Sequence, residues 1–262
     1  MDGPLLSVRD VVVRFGGIVA LSGVSFDVGM GEICGLIGPN GSGKTTLFNC
    51  ISGIYRPARG AVTMDGRRVT GQKRYRMAGF GIGRTFQNLA LFRSLTVAEN
   101  ILVGAHHLGR TGFAANAFRL RRAAAEERSA QARLHSLLEL LSLEAFAQAQ
   151  VADLPFGTAK RVELGRALIG APKLLLLDEP ASGLNHGEVD ELASLLVRIR
   201  AQFSLGILLV EHHMNLVMRV SDHVVALEFG RKIADGTADA VRRNPDVIRA
   251  YLGTGERRER AA

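Results

Sequence analysis

Cysteine is scarce in this chain. The two that occur, Cys34 and Cys50, form neither a Cys-x-x-Cys pair nor a Cys/His ligand spacing, which argues against a disulfide scaffold and a zinc site. Long apolar runs are missing too. The densest, Leu174 to Leu177, is cut off at once by Asp178-Glu179, far short of the ~18 residues a membrane-spanning helix needs. The opening Met1-Asp2-Gly3-Pro4 has no basic stretch followed by an apolar one, so no signal peptide is read. Neither an internal repeat nor a low-complexity linker interrupts the chain. These absences point to a cytosolic protein.

The 262 residues are 47% hydrophobic and 22% charged, the balance of a folded domain with a sizeable core rather than of a disordered chain. Positive charge is in excess, 33 Lys plus Arg against 25 Asp plus Glu, a net +8. It is unevenly placed: residues 67–133 hold 13 basic and 3 acidic side chains, and the remainder holds 20 and 22. Such a region is either a solvated face or the mark of a partner, a membrane surface or nucleic acid.

Hydrophobic periodicity sets out the elements. Leu6 to Phe15 alternates and reads as a strand, followed by a short one over Val24 to Val28. Ile33 to Ile37, Leu174 to Leu177 and Gly206 to Val210 are continuous apolar runs, as buried parallel strands are. Helices are expected from about Lys44 to Ser52, after the capping-box spacing Thr96-x-x-Glu99, and along the stripes Leu134/Leu137/Leu138/Leu141 and Leu192/Leu195/Leu196/Ile199. Asp222 to Leu227 and Lys232 to Ala234, joined through Gly230, predict a terminal hairpin. Strands alternating with helices imply an α/β parallel sheet, with a mostly helical stretch over 96–170 inserted into it.

Gly38-Pro39-Asn40-Gly41-Ser42-Gly43-Lys44-Thr45 fits G-x-x-x-x-G-K-[ST] without a gap, between an apolar strand and a helix, and Thr46 follows. Gly38, Gly41 and Gly43 let consecutive backbone N–H groups turn inward to phosphate oxygens, and the helix N-terminus adds partial positive charge. Lys44 supplies a point charge for the β and γ phosphates, and the Thr45 hydroxyl is placed to ligate Mg²⁺. Asp178, ending a buried strand, suits a Mg²⁺-holding carboxylate. Glu179, pointing differently, suits polarisation of the attacking water, since phosphoryl transfer otherwise needs mainly positioning and charge neutralisation.

With these two motifs the chain resembles the ATP-binding cassette (ABC) ATPases over nearly its whole length. The resemblance implies a P-loop NTPase core with an N-terminal antiparallel β part and an inserted α-helical subdomain. Its divisions fall at 1–95, 96–170 and 171–262. It implies ATP and Mg²⁺ as ligands. Gln87, in Arg84-Thr85-Phe86-Gln87-Asn88, looks like the glutamine that senses the γ-phosphate and metal, Phe15 matches the adenine-stacking aromatic, and His212 resembles the switch histidine, in preference to its neighbour His213. Ser182-Gly183-Leu184-Asn185 stands where the D-loop would be, with Asn in place of the usual Asp. His106 and His107 match nothing and read as surface residues.

The family's Leu-Ser-Gly-Gly-Gln signature appears here as Leu154-Pro155-Phe156-Gly157-Thr158. Leu154 and Gly157 survive, Pro155 has neither hydroxyl nor backbone N–H, and Thr158 restores a hydroxyl. In the family this segment serves the nucleotide of a partner ATPase. The divergence favours a heteromeric ATPase pair and makes the site completed on the partner the weaker one for hydrolysis.

Within the family, Gly81-Ile82-Gly83-Arg84-Thr85-Phe86-Gln87-Asn88, Leu95-Thr96-Val97-Ala98-Glu99-Asn100, Gly230-Arg231-Lys232-Ile233-Ala234 and Ala250-Tyr251-Leu252-Gly253 are similar to importer ATPases of the branched-chain amino acid type. The resemblance implies permease subunits, a second ATPase subunit and, indirectly, a periplasmic solute-binding protein as partners. It also implies a peripheral location on the cytoplasmic side of the inner membrane. The basic segment then faces the membrane rather than nucleic acid, for which no recognition module is present. The rival readings are lipopolysaccharide export, uptake of amides or urea, and a soluble ABC ATPase of iron–sulfur assembly. A GTPase is excluded by the lack of an Asn-Lys-x-Asp base reader.

Overall fold

The structure, a computed structural model, describes residues 3–85, 89–106 and 121–251, with the side chains of 121–125 excepted. The chain divides into two compact units, one made of the described residues up to Arg84 and from Lys173 onward, the other of Thr85–Pro172.

The first unit contains two sheets. β1 (Leu6–Phe15) and β2 (Ile18–Val28) form an antiparallel pair joined through Gly16-Gly17, and β4 (Arg59–Met64) and β5 (Arg67–Arg68) extend it in the order β2-β1-β4-β5. β2 starts at Ile18 rather than Val24, because its first residues, largely exposed, pair with the end of β1 and need no apolar pattern. The second sheet runs β10-β9-β3-β8-β7-β6, built from β3 (Ile33–Ile37), β6 (Ile82–Arg84), β7 (Leu174–Asp178), β8 (Gly206–Val210), β9 (His223–Glu228) and β10 (Arg231–Gly236). Every pairing from β9 to β6 is parallel, and β10 turns back antiparallel to β9. Each residue of β3, β7 and β8 is buried, which is why all three read as unbroken apolar runs.

The register has a functional consequence. Parallel β3, β7 and β8 bring the ends of Ile37, Asp178 and Val210 to one edge of the sheet. Ligands of open α/β sheets bind at that carboxyl edge. α1 (Lys44–Ile51) leaves it after β3, and α5 (His186–Phe203) and α6 (Met214–Val220), with α7 (Ala238–Arg242) and a last helical stretch at 245–251, complete the unit.

The second unit is helical: α2 (Val97–Val103), α3 (Arg121–Leu140) and α4 (Phe156–Leu168). Thr96 and Glu99 form the full reciprocal capping box. Leu134, Leu137, Leu138 and Leu141 are all buried, as their spacing requires. Asn100, completely buried, accepts from the Phe92 amide and donates to the carbonyls of Phe92 and Thr96, pinning 92–96.

Candidate functional site

The loop from Gly38 to Gly43 is held tightly by its surroundings. Gly38 has φ 149°, and a Cβ there would lie 2.2 Å from the Leu227 carbonyl oxygen. Gly43, at φ 103°, would meet the Ala20 carbonyl at 2.9 Å. Only glycine fits at either point. Gly43 caps α1 without a side-chain hydrogen bond, and no acidic residue occupies the first turn, which leaves the helix's amide donors and partial positive charge open to an anion. The Ser42 hydroxyl is buried and has no hydrogen-bond partner among the described residues.

Lys44, in the first turn, is 7% exposed. Its ammonium donates to the carbonyls of Gly38 at 2.6 Å and Pro39 at 3.1 Å. Burial pushes its pKa down, while the charges of Glu179 and then Asp178 hold it up. A buried ammonium bonded to backbone carbonyls, an unpartnered hydroxyl and an uncapped helix start are what a bound phosphate would satisfy. The residues present fit that group. Asn40 and Thr45 are exposed and Thr46 is half-buried.

Asp178 ends β7 and is 4% exposed. Burial raises its pKa, Arg84 opposes this, Glu179 adds to it and Lys44 opposes it. The Arg84 guanidinium lies 3.4 Å from Asp178, donates to Asn49 at 2.9 Å and stacks over Phe48 at 4.8 Å, tying the end of β6 to α1 and β7. Glu179 has φ +49°, a left-handed conformation costly for a side-chain-bearing residue. Its amide donates to the Val210 carbonyl at 2.8 Å, so the adjacent strand holds the turn. His212 Nδ1 lies 4.0 Å from Glu179 Oε2, and the ring of His213 is 4.5 Å away from that of His212. His212, the preferred of the two histidines, thus stands beside Glu179.

Three residues to which the sequence reading assigned no role make contacts at the site. Glu211, completely buried, accepts backbone N–H groups from the loops after both β7 and β8. Tyr251 places its hydroxyl 2.9 Å from the Gly38 amide, which donates to it. Tyr55 meets Phe15 edge-on at a 5.2 Å centroid distance, so the aromatic at the end of β1 belongs to a pair. Asn185, which departs from the D-loop pattern, caps α5 in a capping box with Glu188.

Gln87 lies outside the described residues, as does His107, and His106 is exposed. In the helical unit Pro155 is the N-cap of α4, where its missing N–H costs nothing, and Gly157 and Thr158 fall in the first turn after Leu154.

Residues 21–182, spanning the P-loop, the signature-like segment and Asp178-Glu179, match the ABC transporter family. The chain belongs to that family. Residues 231–257 match the branched-chain amino acid ATP-binding cassette transporter family. The high-affinity branched-chain amino acid transport ATP-binding protein BraF of Pseudomonas aeruginosa is 42% identical over 253 residues, 97% of this chain and 99% of its own length. LivG of Escherichia coli, of the same description, is also 42% identical, over 256 residues covering 97% and 99%. The ADP conformation of MJ1267, an ATP-binding cassette of an ABC transporter, superposes with a TM-score of 0.81 at 30% identity, covering 96% of this chain and 99% of that one.

Proposed function

We propose that this chain is the ATP-hydrolysing subunit that energises import of branched-chain amino acids through membrane permease subunits. The carrying observation is the carboxyl edge of the parallel sheet, where Lys44, Asp178, Glu179 and His212 converge in a chain 42% identical to BraF. The P-loop amides and Lys44 hold the β and γ phosphates, and Phe15 with Tyr55 receives the adenine. Thr45, Asp178 and Gln87 are the residues to hold Mg²⁺, which when bound neutralises phosphate charge. Glu179 takes the proton of the water that attacks the γ-phosphorus as the bond to ADP breaks, and His212 orients the reacting group beside it.

The family's two-ATPase arrangement gives Leu154, Gly157 and Thr158 their role, toward the nucleotide of a second ATPase subunit. Their divergence from the signature favours a different chain as that partner. The unit works at the cytoplasmic side of the membrane, with a periplasmic solute-binding protein delivering the amino acid. Arg67, Arg68, Lys73, Arg74 and Arg76, all exposed, face the anionic leaflet, whereas Arg84 is engaged with Asp178.

Transport is the test. Reconstituted with its permeases, second ATPase and binding protein, the chain should drive ATP-dependent leucine, isoleucine and valine uptake. Glu179→Gln should cut hydrolysis about a hundredfold or more while leaving ATP bound. Uptake of none of the three, with hydrolysis intact, would overturn the solute; undiminished hydrolysis by Glu179→Gln would overturn the catalytic assignment.

A further inference from the structure

Glu211 directly follows β8, and its side chain is completely buried. One carboxylate oxygen, Oε1, accepts the Ala181 amide at 2.7 Å. The other, Oε2, accepts the amides of His212 at 3.0 Å and His213 at 3.2 Å. One side chain thus bonds two loops that the sequence separates by 30 residues. The first loop carries Glu179, whose left-handed backbone persists only where neighbours over-determine it. The second carries His212, whose Nδ1 stands 3.9 Å from Glu211 and 4.0 Å from Glu179.

The chemistry of the pocket selects a carboxylate. Both oxygens meet N–H donors, so an amide of the same size would turn its NH₂ against at least one of them, leaving a buried donor facing a donor. A shorter carboxylate would not span both loops.

We infer that Glu211 is a positioning residue for hydrolysis, which fixes the Glu179 loop and the His212 loop in one arrangement through their backbone amides. It has no contact with the nucleotide to make. The inference rests on the reading of Glu179 and His212 given above, and it predicts a specific split: the rate falls and ATP affinity stays.

The experiment uses the full chain with Mg-ATP, in the reconstituted transporter for rates and alone for nucleotide affinity and amide hydrogen exchange. Glu211→Gln should lower kcat about tenfold to a hundredfold, the scale of a sub-ångström to 1 Å misplacement, with ATP affinity within about threefold of wild type. Amide exchange should accelerate together in the peptides holding Ala181 and His212-His213. Glu211→Asp, which keeps both oxygens on a shorter arm, is read the same way and covers the case in which Glu211→Gln does not fold. An unchanged kcat, a parallel loss of rate and affinity, or faster exchange in one loop alone overturns the inference. Glu179→Gln serves as the separate arm: full activity in that variant overturns the catalytic reading, while the exchange result still judges the coupling of the loops.

Discussion

At the amino end of the parallel strands, His223 lies between two carboxylates, with Nδ1 3.2 Å from Glu32 and Nε2 in contact with Asp235. Lys232 joins Asp235, and Arg200 pairs with Asp222, whose carboxylate also accepts the Ile33 amide at 2.9 Å. At the carboxyl end of the same strands, the Ser42 hydroxyl is unpartnered, Lys44 is buried against carbonyls, and Glu179 is held left-handed. One sheet therefore carries a cluster of matched ion pairs at one end and, at the other, a buried ammonium and a buried hydroxyl placed for an anion. The paired end serves stability. The other end carries a cost that a bound anion removes, which is the expected mark of a site.

The sharpest way to break this contrast is to remove the buried cation. Lys44→Ala should weaken ATP binding by about a hundredfold or more, through loss of a desolvated charge on the phosphates. Stability without nucleotide should stay the same or rise, because the variant no longer buries an ammonium. Nucleotide titration and thermal melts of the apo protein check both halves. A variant that bound ATP normally would place the phosphates elsewhere.

The opposite end should respond in the opposite way. His223→Gln should cost about 1–3 kcal/mol of stability and leave ATP affinity unchanged. Contacts with Cys34 and Glu32 push the His223 pKa up to about 11 against its burial, with Asp235 adding to the rise. A raised pKa means that the charged form is stabilised by folding. Its contribution is complete below the ordinary value of 6.5 and disappears as pH rises through about 11. Glu32, lowered chiefly by His223, and Asp235, lowered by Lys232 and His223 despite burial, lose their share as pH falls below the ordinary carboxylate range. The stability gap between wild type and variant should therefore be widest at mildly acidic pH and close toward pH 11. Chemical denaturation across that range measures it; a gap that widened with pH would reverse the assignment.

How much of this was legible in the sequence follows the distance over which each feature is encoded. The P-loop is a contiguous run, Asp178 and Glu179 are neighbours, and the Thr96–Glu99 box spans four residues, so each could be read directly. The three buried strands announced themselves because both of their faces are covered. β6 did not: Gly81-Ile82-Gly83 has little strand character, and its pairing with β7 makes it a strand. Arg84 meets Asp178 across 94 residues, and Tyr251 meets Gly38 across 213. Glu211 sat beside the favoured histidine and read only as its neighbour, since the donors that define its role come from two separate loops. The left-handed turn at Glu179 has no local sequence signal, because glycine is the usual occupant of such a conformation.

Tyr251 offers the finest test of the contrast, since it links the end of the chain matched to branched-chain transporters with the first amide of the P-loop. Its ring packs beside the cluster of Ile37, Val224 and Val247, and burial raises its pKa against the Gly38 hydrogen bond. Tyr251→Phe keeps the packing and removes one acceptor, a loss of about 0.5–1.5 kcal/mol. If the bond serves the loop's geometry, the loss should appear as a roughly threefold to tenfold weaker ATP affinity, with a small change in apo stability. Should the same energy appear wholly in the melting temperature and not in affinity, Tyr251 belongs with the paired, stabilising charges of the other end. The C-terminal helix would then brace the sheet without shaping the phosphate site.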